Sequence, residues 1–156
     1  MIAGQGVIGL EIIEQLPNVD EIYVPIGGGG LVAGIITAVK EKNPHVKIIG
    51  VESSAYPAMK KSLENNTLET VSGDTTIADG ISVKTPGKLT FDIVKQKIDK
   101  IVTVDDSDII NAMFLLMERS KAVVEPAGAV ALAYLLKHKP ESGKTVVPIL
   151  CGGNID

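Results

Sequence analysis

An α/β fold is predicted for this chain: a doubly wound, mainly parallel sheet with helices on both faces, forming a single domain over residues 1–156. Three observations predict it. The β-type run Ile22-Tyr23-Val24-Pro25-Ile26 breaks into Gly27-Gly28-Gly29-Gly30 and continues from Leu31 with helical spacing. A second β-type run, Lys47–Glu52, follows that helix, so the two strands of this strand–helix–strand unit run parallel. A second glycine pair, Gly152-Gly153, follows the last apolar run, Thr145–Leu150. Sheets of this kind bind ligands beyond the carboxyl ends of their strands, so both glycine clusters are expected to face one crevice.

The elements follow in order. Residues 1–6 read as a loop, and Val7–Leu16 as a helix closed by Pro17, with Val7, Ile8, Ile12, Ile13 and Leu16 at helical spacing. Gly4-Gln5-Gly6-Val7-Ile8-Gly9 spells G-x-G-x-x-G, but only Met1 to Ala3 precede it, too few for the strand a dinucleotide fingerprint needs. Leu31–Lys42 is a helix ended by Asn43-Pro44, and Ala55–Glu64 a short one. Asn65–Lys88 is a polar stretch too long for an inert connection, so part of it is expected to be functional. Thr90–Ile98 reads as helix and Lys100–Val104 as the third strand. Asp105 or Asp106 caps the next helix, Ser107–Lys121, which is expected to point Ile110, Met113, Phe114 and Met117 inward. Ala127–Lys137 is the last helix and Thr145–Leu150 the fourth strand.

Composition narrows the function. An apolar fraction of 45% and a mean hydropathy of +0.26 suit a soluble globular domain with a sizeable core. The net charge of −4 and a single arginine, Arg119, leave no basic face for nucleic acid. No apolar run is long enough for a membrane span and no signal peptide is recognisable, while the lone Cys151 suits a reducing compartment. A cytoplasmic protein without nucleic-acid or membrane partners is expected.

The tetraglycine turn reads as a phosphate cradle, since backbone N–H groups can converge on an anion there and the next helix presents its positive end. A tight strand-to-helix turn without a ligand would also use glycine. Gly28-Gly29-Gly30-Leu31-Val32-Ala33 moreover satisfies G-x-G-x-x-A after a strand, and Glu52 stands 22 residues beyond Gly30. That is the pattern of an NAD-binding Rossmann unit, with Glu52 on the ribose hydroxyls.

Four motifs in register carry a resemblance: Gly27-Gly28-Gly29-Gly30-Leu31, Thr76-Ile77-Ala78-Asp79-Gly80, Val124-Glu125-Pro126-Ala127-Gly128-Ala129 and Cys151-Gly152-Gly153-Asn154. In that order they resemble the second half of the fold-type II pyridoxal-phosphate enzymes, the group that includes catabolic threonine dehydratase, serine racemase and serine dehydratase. Ala3-Gly4-Gln5-Gly6-Val7-Ile8-Gly9-Leu10-Glu11 fits the same group. The resemblance spans the whole chain and implies the larger domain of such an enzyme, incomplete.

The resemblance implies that Gly27, Gly28, Gly29, Gly30 and Leu31 hold the phosphate of pyridoxal 5′-phosphate through backbone amides. It places the backbone at Asp79-Gly80 and the Glu125 carboxylate near the cofactor ring, and Cys151 at the pyridine nitrogen, where a serine usually stands. Read from its surroundings alone, Cys151 is equally a small buried residue at a strand end, and Glu125 a solvated acid favoured by a helix dipole. Some members bind a divalent cation through an acid at the position of Glu52, a carbonyl four residues on and an acid six residues on. Here those later positions are Tyr56 and Ala58, so one carboxylate is lost and no metal is expected.

These enzymes carry a Schiff-base lysine in a serine-x-lysine segment of their first half, beside an asparagine loop that grips the substrate carboxylate. Neither is matched here, so no catalytic residue is assigned. The fourteen lysines present lie mostly on helix surfaces or in loops, where an ammonium stays protonated. Ser142-Gly143-Lys144-Thr145 precedes a strand and is no P-loop, and His45 and His138 are expected at the surface. The chain is therefore expected to be a fragment of a threonine or serine dehydratase. It is expected to be inactive alone, the parent being a homo-oligomer that converts L-threonine to 2-oxobutanoate and ammonia. An NAD-dependent oxidoreductase domain or a non-catalytic ligand-binding domain are the alternatives.

Overall fold

In the computed structural model, which describes residues 1–155, four strands form one parallel sheet in the order β3-β2-β1-β4. The strands are β1 (Glu21–Pro25), β2 (Lys47–Ser53), β3 (Lys100–Val104) and β4 (Val146–Pro148). The helices are α1 (Ile2–Gln15), α2 (Gly30–Lys42), α3 (Ala58–Glu64), α4 (Lys88–Lys97), α5 (Asp106–Leu115) and α6 (Pro126–Lys137). A short 3₁₀ turn, Asp79–Ile81, interrupts the long connection, and a π turn, Leu116–Ser120, extends α5. Among the described residues no helix is long and apolar enough to cross a membrane.

Every residue of β1 is buried, as a strand covered on both faces must be. Val24, Ile26, Val32, Ile36 and Ile48 belong to one core with α1, α2 and α4, while Tyr23, Val51, Val102 and Val104 belong to a second core with α5 and α6. The sheet is thus wound on both sides, as expected. From β1 the chain steps outward to β2 and then β3, and after α5 and α6 it returns to add β4 on the other side of β1. The strand order reverses there, so a crevice opens between the carboxyl ends of β1 and β4, where such sheets bind ligands.

Several boundaries differ from the sequence expectation, each for a physical reason. Helix α1 begins at Ile2, because Gly6 and Gly9 let it lie directly on Gly34, Ile35 and Val39 of α2, and this packing outweighs the low helix propensity of glycine. Helix α3 begins at Ala58, after the turn closed by Tyr56 N–H to the Ser53 carbonyl (3.0 Å) and Pro57 at its N-cap. Asp105 is the N-cap of α5 and forms a capping box with Asp108. The inward stripe of α5 is Ile109, Ala112 and Leu116, whereas Ile110, Phe114 and Met117 are more than half exposed and only Met113 packs on the core. The helix carries two apolar stripes, and the smaller, tighter one faces α6. Strand β4 is shorter than Thr145–Leu150, although Ile149 N–H still reaches the Tyr23 carbonyl at 2.9 Å. His45 and His138 are exposed, His138 stacking on Tyr134 with ring centroids 4.5 Å apart.

Candidate phosphate and cofactor site

The crevice is built from the loops that follow β1 and β4. After Pro25 the chain leaves the sheet, with Ile26 N–H still bonded to the Val51 carbonyl at 2.8 Å, and enters Gly27–Gly30. Gly29 is the N-cap of α2 with φ of +90°, a conformation that requires glycine, and no side chain caps the helix. Among the described residues, none of the N–H groups from Gly27 to Leu31 donates to a backbone or side-chain acceptor. A row of unpaired donors at a helix N-terminus is an anion site.

The space in front of the row supports the same reading. A methyl group added at Gly28 would meet nothing within 4 Å, so the loop is open on that side. On the other side it is packed: a methyl at Gly29 would overlap the Met59 Cε and Thr90 Cβ atoms, and one at Gly27 would press on Ile81. Gly87 N–H (3.3 Å) and the Thr90 hydroxyl (2.6 Å) both donate to the Gly28 carbonyl. The residues present fit a phosphate group, because the amides are free and the floor beneath them is solid.

The other motifs converge on the same edge of the sheet. Asp106 accepts from the Thr76 hydroxyl (2.5 Å) and Ile77 N–H (3.0 Å), and thereby ties Thr76–Gly80 to the start of α5. Gly80 lies against Ala127 and the Glu125 carboxylate, and its neighbour Ile81 lies against Gly27. Glu125 is the N-cap of α6 but makes no cap with its side chain. Its carboxylate instead accepts Asn154 N–H at 3.2 Å and sits against Gly152, while its own N–H donates to the Gly152 carbonyl at 3.1 Å. Gly128 lies against the Cys151 backbone so closely that no side chain fits between them.

Cys151 is half-buried, and burial first, then the Glu125 carboxylate, pushes its thiol up, so it stays neutral at physiological pH. Glu52 does not face the crevice. It is 1% exposed, and its two oxygens accept Met59 N–H (2.8 Å) and Lys60 N–H (2.9 Å), capping α3. Burial raises its pKa to about 7 against the lowering effect of those two bonds. At 1% exposure and turned toward the first amides of α3, Glu52 is closed off from a ribose in the crevice, and the capping role is the one the structure assigns. Among the described residues no group of three or more His, Cys, Asp or Glu could hold a metal ion. Lys137 and Lys144 are held above the ordinary lysine range by hydrogen bonds to Asp108 and to Glu141 and Glu21, which disfavours a neutral amine.

The structure thus brings Gly80, Glu125 and the Cys151–Gly152 loop together beside α6, and links them to Gly27 through Ile81. It adds residues the sequence reading missed. Met59 and Thr90 lie outside the polar stretch Asn65–Lys88, whose length was the signal for function, and Asp106, expected only as a candidate helix cap, anchors Thr76 and Ile77 within it.

The profile for pyridoxal-phosphate dependent enzymes matches residues 1–152. The L-threonine ammonia-lyase of Thermotoga maritima is 49% identical over 156 residues, covering 100% of this chain and 39% of that protein. The catabolic L-threonine dehydratase of Escherichia coli K12 is 46% identical over 159 residues, covering 100% of this chain and 48% of that protein. The chain thus spans less than half the length of these curated relatives. Among solved structures, the T.th. threonine deaminase superposes with a TM-score of 0.94 at 39% identity, covering 99% of this chain and 57% of that one. Maize serine racemase gives 0.93 at 37%, covering 99% and 49%.

Proposed function

The chain belongs to the family of pyridoxal-phosphate dependent enzymes, and from that premise we propose that it forms the phosphate-binding domain, residues 1–156, of a cytoplasmic, homo-oligomeric L-threonine ammonia-lyase. The whole enzyme converts L-threonine to 2-oxobutanoate and ammonia. The observation that carries this reading is the row of unpaired N–H groups from Gly27 to Leu31, placed where the strand order reverses.

In this reading the amides of Gly27, Gly28, Gly29, Gly30 and Leu31 hold the cofactor phosphate and fix its orientation. The backbone at Gly80 and the Glu125 carboxylate border the ring, and Cys151 offers its neutral thiol to the pyridine nitrogen. Bound pyridoxal phosphate supplies an electron sink for breaking the C–H bond next to the substrate amine. A thiol is too weak an acid to keep the ring nitrogen protonated, so this site works with a milder sink than one with a carboxylate at that position. Glu125 also fixes the loop that presents Cys151, through Asn154 N–H. No lysine of this chain is assigned to the proton transfer.

Calorimetric titration of the chain tests the reading. Pyridoxal phosphate and inorganic phosphate are expected to bind, and NAD is not. NAD binding that disappears in Glu52→Ala would overturn it in favour of a dinucleotide domain. Mixed with pyridoxal phosphate and threonine, the chain alone is expected to release no oxo acid. Turnover that is lost on replacing one of its lysines would show that the chemistry resides here after all.

A further inference from the structure

The phosphate loop has a partner that no motif marks. The Thr90 hydroxyl, 62 residues along the chain, lies 2.6 Å from the Gly28 carbonyl and 2.8 Å from the Gly87 carbonyl; its single proton goes to the nearer oxygen, that of Gly28, and Gly87 N–H adds a second donor to Gly28 at 3.3 Å. A trans peptide is planar, with its carbonyl and the following N–H on opposite sides. Pinning the Gly28 oxygen against the start of α4 therefore turns Gly29 N–H the other way, toward the open side of the loop. Left free, a glycine peptide can rotate and present its oxygen, which repels an anion. The Thr90 Cβ and the Met59 methyl occupy the space a side chain at Gly29 would need, so the same contact also enforces glycine there.

We propose that Thr90 is the positioning residue of the phosphate loop, a latch that aims Gly29 N–H at the anion by holding the carbonyl of the preceding residue. This rests on the reading of Gly27–Leu31 as a phosphate site. The latch acts without touching the ligand, through the peptide it orients. It also couples the phosphate loop to the start of α4 and thus to the end of the long connection.

The test uses Thr90→Val, which keeps the shape and removes the hydroxyl, and Thr90→Ser, which keeps the hydroxyl. Inorganic phosphate and pyridoxal phosphate are the probes, with melting temperature recorded for each protein. Thr90→Val is expected to weaken both ligands about 10- to 100-fold, the effect of losing one hydrogen bond to a charged group. Thr90→Ser is expected to stay within about threefold of the parent chain. In ligand-free protein the Gly28 ¹³C′ and Gly29 ¹⁵N resonances are expected downfield, as for a carbonyl with two donors, to shift upfield in Thr90→Val and to remain in place in Thr90→Ser. A parent chain whose Gly28 carbonyl lacks that shift overturns the latch even if the valine variant fails to fold. Unchanged phosphate affinity in a folded Thr90→Val overturns it as well. A parent chain that binds neither probe sinks the phosphate reading first, and is distinguished by failing before any variant is made.

Discussion

Two glycine-rich segments of this molecule are spelled almost alike and do opposite things. In Gly4–Gly9 the glycines lie inside α1, and Gly6 and Gly9 bring that helix against Gly34, Ile35 and Val39 of α2. In Gly27–Gly30 they lie between a strand and a helix, and their N–H groups find no acceptor among the described residues. The first segment removes side chains so that two backbones can meet. The second removes them so that a ligand can meet one backbone. What separates the two is whether a strand feeds the turn and whether a helix consumes the amides, and glycine spacing alone reports neither.

The largest effect that sharpens the contrast is expected from Gly28→Asp. A Cβ at this position meets no protein atom within 4 Å, so the fold is expected to survive while the carboxylate stands in the cradle. Phosphate affinity should fall about 100-fold or more, by charge repulsion, with little change in melting temperature. Unchanged affinity would mean that these glycines serve only the turn. Gly28 is a cleaner probe than Gly29, where φ of +90° and the contacts with Met59 and Thr90 would strain any side chain.

The mirror experiment is Gly34→Ala. Its methyl would run into the Ile2 carbonyl and the backbone at Gly6, lifting α1 from α2. A loss of about 2 kcal/mol in denaturant unfolding is expected, with phosphate affinity retained in the folded protein. Equal damage to affinity would show that the two segments are not separable.

Glu52→Gln probes the support beneath the phosphate loop, since Glu52 caps α3 and α3 carries Met59 under Gly29. Burial raises the carboxyl from 4.5 to about 7 in the folded chain, so between those values the folded state keeps a proton that the unfolded state has lost. Stability contributed by this group is therefore fully present at and below pH 4.5, falls as pH rises, and levels off above about 7. The change is of order 3 kcal/mol at most. Melting temperature measured from pH 5 to 8 should decline in the parent chain, and the decline should flatten in the variant. The smallest effect is expected from Ile110→Glu, which touches neither segment. At 55% exposure it should change stability by no more than about 0.5 kcal/mol, and a loss above about 2 kcal/mol would restore the inward stripe first expected for α5.

Much of the fold was legible because its signals are local. The β-type run of Ile22–Ile26, the break at Gly27 and the helical spacing from Leu31 each concern neighbours within one turn or one strand, and all three elements formed where expected. The errors arose where a local pattern admits two answers. In α5, Ile110, Phe114 and Met117 repeat at helical spacing just as Ile109, Ala112 and Leu116 do, and only the closeness of α6 decides which stripe is buried. Residues 1–6 read as a loop, yet they begin α1, where Gly6 and Gly9 pack on α2.

The sequence by itself determined the strand–turn–helix that makes the cradle, the glycines that leave its amides uncovered, and the motifs whose order places the chain in its family. Only the tertiary structure decided that β4 joins β1 on the side away from β2, that Glu52 turns inward to cap α3, and that Thr90 holds the Gly28 carbonyl. The division is physical. Helical periods and turn preferences act over a few residues, whereas a bond between residues 62 apart exists only after both segments have been laid against the same edge of the sheet.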